Sequence, residues 1–178
     1  MHNLLLLEEQ QKRLDTRSEA QDKFMSYVKH VYDGFIEGTH HRIISEKLER
    51  IASGNLKRLI VNMPPRHSKS EFASYLMPSW FLGRNPKLKI IQATMNTELA
   101  VRFGRKVRDL IADPIYREIF PNTDLKPDSQ AAGRWETSAG GEYFAAGVGA
   151  AMTGRGADLL IIDDPHSEQD ALSTSAYD

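Results

Sequence analysis

Apolar positions recur with helical spacing in the first third of this chain, and the pattern changes near residue 55. Residues 3–22 are polar and helix-favouring, with few apolar positions after Leu7, and predict a solvated helix able to stand off from the rest. Phe24, Val28, Val31, Tyr32 and Phe35 then predict a helix over 24–36. Gly38-Thr39 breaks it. Ile43, Ile44, Leu48 and Ile51 predict a second helix from about His40 to Ala52, ended by Ser53-Gly54-Asn55. From residue 56 the apolar positions cluster into short runs. Leu56–Met63, Leu88–Ala93 and Ala157–Ile162 each read as a buried parallel strand.

Between these runs the spacing turns helical again. Phe72, Ala73, Leu76 and Trp80 share a face over Lys69–Leu82, with Pro78 marking a kink or an end. Thr97 is a candidate cap for a helix reaching Ala112, where Asp113-Pro114 stops it. Residues 114–133 predict a helical turn over Tyr116–Phe120, then a loop. Trp135–Val148, with Gly140-Gly141 at its centre, predicts a β-hairpin. Gly147–Gly156 is glycine-rich and irregular. The resulting order implies an α/β fold with a parallel sheet. Its expected division is a helical segment over 1–54 and a core over 55–178.

Two apolar runs end abruptly in reactive groups. Leu59-Ile60-Val61-Asn62-Met63 leads into Pro64-Pro65-Arg66-His67-Ser68-Lys69-Ser70, and Leu159-Leu160-Ile161-Ile162 leads into Asp163-Asp164. A cation and hydroxyl at one strand end, with carboxylates at another, are the parts that ATP and Mg²⁺ chemistry requires. After Pro65, backbone N–H groups around Arg66–Ser70, at a helix start, would cradle phosphates. Lys69 would reach the β/γ oxygens, and Ser70 and Asp163 would hold Mg²⁺. Asp164 is the candidate base or water-orienting group, and Glu168 could take that part because Asp is one methylene shorter than Glu. Ser68 stands where the strict phosphate-loop pattern wants glycine, which carries a cost if the position needs positive φ.

Other residues leave two readings open. Arg66 is suited to the γ-phosphate in cis, or it is a solvated loop arginine. His67 reads as a spacer. Arg155, between Gly154 and Gly156, is expected to be exposed and mobile and suited to reach a neighbouring subunit's nucleotide, or it belongs to a flexible hinge. The helix from Thr97 carries Arg102, Arg105, Lys106 and Arg108, of which the first three fall near one face for phosphates or a neighbour, or a solvated one.

Bulk properties narrow the picture slightly. The 178 residues carry a formal net charge of -1, so nucleic-acid contact would need a local patch. With no cysteine, disulfides and Cys-based zinc sites are excluded, which fits an intracellular protein. The six histidines show no metal-ligand spacing. Leu4–Leu7 is too short for a signal core or a membrane span.

From about residue 40 onward the chain resembles the N-terminal ATPase region of bacteriophage terminase large subunits. The resemblance rests on Arg58 through Ser70, Trp80, Ile119-Phe120-Pro121, and Gly147 through Asp164. It implies a P-loop fold of the additional-strand class and MgATP hydrolysis. It further implies a homo-oligomeric ring, a portal protein and small terminase subunit as partners, and double-stranded viral DNA as the translocated substrate. Lys69 and Ser70 would lie in the phosphate loop, Asp163 on Mg²⁺, Asp164 as catalytic carboxylate and Arg155 as the trans finger. The adenine-contacting segment would fall near His40–Ile44. The implied location is the host cytoplasm, without secretion or membrane insertion. Family members continue with a strand between the phosphate-loop strand and the acidic strand, then a nuclease domain. The expectation is therefore an incomplete motor, inactive if the truncation silences it. The alternative is a catalytically silent nucleotide- or partner-binding module. A helicase-like ATPase is a weaker reading, because no helicase motif follows Asp163-Asp164.

Overall fold

The computed structural model describes residues 2–150 and 154–166. It is α/β, with one five-stranded sheet whose strands lie in the order Leu125–Ala131, Arg134–Thr137, Glu142–Gly147, Lys89–Thr94 and Leu159–Asp163. Helices α1 (His2–Asp22), α2 (Phe24–Val31) and α3 (Thr39–Ala52) come first. A π-helical segment (Glu71–Leu76) runs into α4 (Met77–Arg84). Then follow β1 (Lys89–Thr94), α5 (Thr97–Ala112), α6 (Pro114–Ile119), β2 (Leu125–Ala131), β3 (Arg134–Thr137), β4 (Glu142–Gly147) and β5 (Leu159–Asp163).

The sheet is mixed, not purely parallel. β1 pairs parallel with both β4 and β5, and the β3–β4 hairpin adds antiparallel strands. Over 114–133 the predicted helical turn is α6, but the loop predicted after it contains β2. That strand lacks an apolar alternation and carries Pro127, which an edge position tolerates because one side needs no ladder donor.

The larger correction concerns Leu56–Met63, which forms no strand. Leu59, Val61 and Met63 pack against the core while Ile60 is 87% exposed. The burial alternates with the period of a strand, but the segment has no ladder partner among the described residues; the Leu56 N–H donates to the Arg50 carbonyl at 2.9 Å, and side-chain packing holds Leu59, Val61 and Met63. β5 is an edge strand of the sheet, with Leu160 and Ile162 exposed.

Local chemistry explains the other departures. Asn96, not Thr97, caps α5, its side chain accepting from the Leu99 N–H at 2.9 Å. Helix α2 stops at Val31 rather than running to 36. The predicted helix over Lys69–Leu82 forms without a break from Lys69 to Arg84, but Glu71–Leu76 within it is π-helical, and Pro78 lies just beyond that segment.

Both α5 and the π segment pack on the face that carries Tyr143, Gln92 and Asp163. Trp135 stacks on Tyr143 at 4.9 Å and donates Nε1–H to the Gly104 carbonyl. Gly104 is needed there, since a Cβ would meet the Ala132 carbonyl oxygen at 2.6 Å. The core continues into the N-terminal helices. Phe24 meets Phe72 edge-on at 5.6 Å and Trp80 at 5.3 Å. Most of α1 is exposed, but its end is anchored, with Ala20 buried and the Trp80 indole donating to the Ala20 carbonyl at 3.0 Å. Among the described residues no helix is long and apolar enough to cross a membrane.

Candidate nucleotide site

The segment after Met63 turns sharply through Pro64–Ser68 into the π segment. Arg66 has φ +63° and Ser68 has φ +65°, both in the left-handed region that L side chains avoid. The conditional cost at Ser68 therefore applies, at roughly 1–2 kcal/mol. Strain of this kind persists only where surrounding structure enforces it, and it clusters at ligand clamps.

At the other end of β5, Asp164 also has positive φ, at +45°. Its carbonyl accepts from the Met95 N–H at 3.1 Å, which extends the β1–β5 pairing and fixes the turn. The Asp163 carboxylate is buried and the Asp164 carboxylate exposed. Lys69 donates to Asp164 Oδ1 and stands 3.8 Å from Asp163 Oδ1. The bond to Asp164 raises the Lys69 ammonium above its ordinary pKa, against the opposing effect of burial. The Lys-Ser turn and the acidic strand end, separate in sequence, thus form one electrostatic site at the sheet edge.

Asp163 takes its own hydrogen bond from Ser74, whose hydroxyl donates to Oδ2 at 2.8 Å. Gln92 Nε2 donates in turn to Ser74 Oγ at 3.0 Å. Neither Ser74 nor Gln92 is legible as a site residue in the sequence. Helical spacing puts Ser74 on the side opposite Phe72, Leu76 and Trp80, so the periodicity gives no signal for it.

Beside the loop lies a cleft of about 260 Å³, lined by Tyr32, Phe35, His41, Ser68, Glu71 and Phe72. His41 stacks on Phe72 at 5.0 Å with rings 22° apart. Its Nδ1 accepts from the Gly38 N–H at 2.9 Å, so a neutral ring carries its proton on Nε2. Nε2 is buried and has no partner among the described residues. Burial, then the neighbouring His40, lowers the His41 pKa. A larger open groove, about 910 Å³, lies between α1 and α6 and contains none of these residues.

The remaining candidates fall as follows. Pro65, Arg66 and His67 are exposed, and the His67 ring is hydrogen-bonded to the Pro65 carbonyl at 2.9 Å. Ser70 immediately precedes the π segment, in helical conformation. Arg155 is held rather than free. Its guanidinium pairs with Glu142 at 2.8 Å and lies 4.0 Å over the Phe144 ring, leaving the side chain 30% exposed. Glu168 lies outside the described residues. Of the basic helix face, Lys106 pairs with Glu71 and covers Tyr75, and Arg108 bonds Asp109 and the Gln130 carbonyl, while Arg102 and Arg105 are exposed.

No group of three or more His, Cys, Asp or Glu side chains among the described residues could hold a metal ion by itself. Hard oxygen donors such as Asp163 and Ser70 suit Mg²⁺, which binds through one or two protein ligands together with waters and substrate phosphates. Comparison with family models, with curated proteins and with solved structures gives no match.

Proposed function

We propose that this chain is a MgATP-binding and -hydrolysing motor portion of the phage terminase large subunit type. The observation that carries the reading is Lys69, set between a strained turn and two strand-end carboxylates. A lysine in that position already balances negative charge, and a triphosphate would offer it a second anionic partner. Ser70 and Asp163 would hold Mg²⁺, which supplies charge neutralisation on the β/γ oxygens when bound.

The cleft beside Ser68 fits a purine base. Tyr32, Phe35, His41 and Phe72 line it with aromatic rings, the surfaces on which a base would stack. In turnover, Lys69 and the loop N–H groups stabilise developing charge on the phosphoryl oxygens. Asp164 orients the attacking water. Arg155 would act in trans after leaving Glu142. Double-stranded DNA, a portal protein, a small terminase subunit, ring assembly and the host cytoplasm belong to this proposal through the same resemblance.

A second reading is binding without turnover. It is favoured because Asp164 is engaged by Lys69 and Arg155 by Glu142, so both groups wanted for chemistry are occupied. Steady-state ATP hydrolysis with Mg²⁺, in the wild type and in Lys69→Ala, separates the two. Turnover that needs Lys69 supports the motor. Lys69-dependent binding with no turnover supports the silent module.

A further inference from the structure

Behind Asp163 runs a buried polar chain drawn from three elements. Gln92 on β1 donates to Ser74 in the π segment, and Ser74 donates to Asp163 at the end of β5. Ser74 and Gln92 are wholly buried. Polar groups left unpaired at such depth cost roughly 1–3 kcal/mol each. One atom of the chain does lack a partner among the described residues, Gln92 Oε1.

The hydrogen-bond direction explains that imbalance. An amide nitrogen only donates, so Gln92 Nε2 uses a lone pair of Ser74 and leaves the single hydroxyl proton for Asp163. With the amide reversed, Oε1 would compete for that proton and Asp163 would lose its donor. The arrangement leaves Oε1 unpaired and keeps Asp163 supplied. It pins Oδ2 from the core side, while Oδ1 is the oxygen nearest Lys69.

The helix geometry serves the same contact. A π turn is wider than an α turn, occurs mostly as short insertions, and is frequent at functional sites. Here it spans Glu71–Leu76, directly after the Lys-Ser pair, and includes Ser74. Phe72 and Leu76 keep their places in the core.

We propose that Ser74, backed by Gln92, is a positioning residue. It fixes one oxygen of Asp163 so that the other is presented to the metal–triphosphate. The inference rests on the nucleotide reading above. A merely structural role, satisfying a buried carboxylate, makes a different prediction.

The test compares wild type, Ser74→Ala, Ser74→Cys and Gln92→Leu. Mn²⁺ affinity in the presence of ATP is read by electron paramagnetic resonance, metal-free ATP affinity by calorimetry, and stability by thermal unfolding without ligand. Outer-shell partners of metal ligands typically change metal affinity by 10–100-fold, so Ser74→Ala is expected to weaken Mn²⁺ about 10-fold. Metal-free ATP binding should stay within about two-fold, because the triphosphate contacts are untouched. Ser74→Cys, a weaker donor of similar size, should fall between the two, and Gln92→Leu should shift Mn²⁺ in the same direction by less. If Ser74→Ala does not fold, Ser74→Cys and Gln92→Leu decide the matter. Variants that lose thermal stability yet bind Mn²⁺ with ATP as the wild type does would overturn the positioning role alone. A wild type that binds no ATP, with or without metal, would overturn the nucleotide reading and this inference together.

Discussion

The Lys69 ammonium bonds Asp164 and stands 3.8 Å from Asp163, so one cation bridges to the two carboxylates that end β5. The exposed bond contributes little stability by itself, since solvent screens it. Its importance is positional. Removing Lys69 leaves the buried Asp163 without its nearest positive charge, although Ser74 still donates to it.

Ser68 tests the cost of the turn. At φ +65° a serine is strained by roughly 1–2 kcal/mol, while glycine brings back about 0.5–1 kcal/mol of unfolded-state entropy. Ser68→Gly is therefore expected to raise unfolding stability by about 0.5–1 kcal/mol in a denaturant titration. A clear loss of stability would show that the serine side chain makes a contribution larger than its strain.

His41 should make stability depend on pH. Burial, reinforced by His40, lowers its folded pKa below the ordinary 6.5, with Glu37 acting the other way. The unfolded chain then binds more protons at mildly acidic pH, so stability rises with pH. The contribution is complete above about 6.5 and is lost as pH falls through that value toward the lowered folded pKa. His41→Gln should flatten the stability profile between pH 7 and pH 5. An unchanged slope would place the pH dependence elsewhere.

Trp80 anchors the end of α1 through its indole bond to the Ala20 carbonyl. Trp80→Phe keeps an aromatic ring but removes that donor, leaving a buried carbonyl unpaired at a cost of roughly 1–3 kcal/mol. Hydrogen exchange should quicken selectively over residues 16–22. Exchange that speeds up uniformly across the protein would mean that α1 docks only as part of the whole core.

How far the sequence carried this picture depends on which signals are local. The strands β1 and β5 and helices α3 and α5 were legible, because periodicity and stop signals lie within each segment. β2 was not, because its residues carry no alternation and it exists through pairing with β3. The run Leu56–Met63 reads as a buried strand because it is short and mostly apolar, yet a strand also needs a neighbour, and sequence does not show that. In the site, the Lys-Ser turn and Asp-Asp end were readable as strand punctuation. The contacts of Ser74, Gln92 and His41 were not, since each depends on elements distant in the chain or on a π turn that no spacing rule announces.

The central claim concerns one site, and a calorimetric titration of Mg·ATP into wild type, Lys69→Ala and Asp163→Asn tests it most directly. A hydrogen bond to a charged group contributes about 1.5–3 kcal/mol, so Lys69→Ala should weaken binding by about 10–100-fold. Asp163→Asn should lose the Mg²⁺-dependent part while metal-free ATP still binds. A wild type that takes up no nucleotide, or a Lys69→Ala protein that binds as the wild type does, would contradict the account.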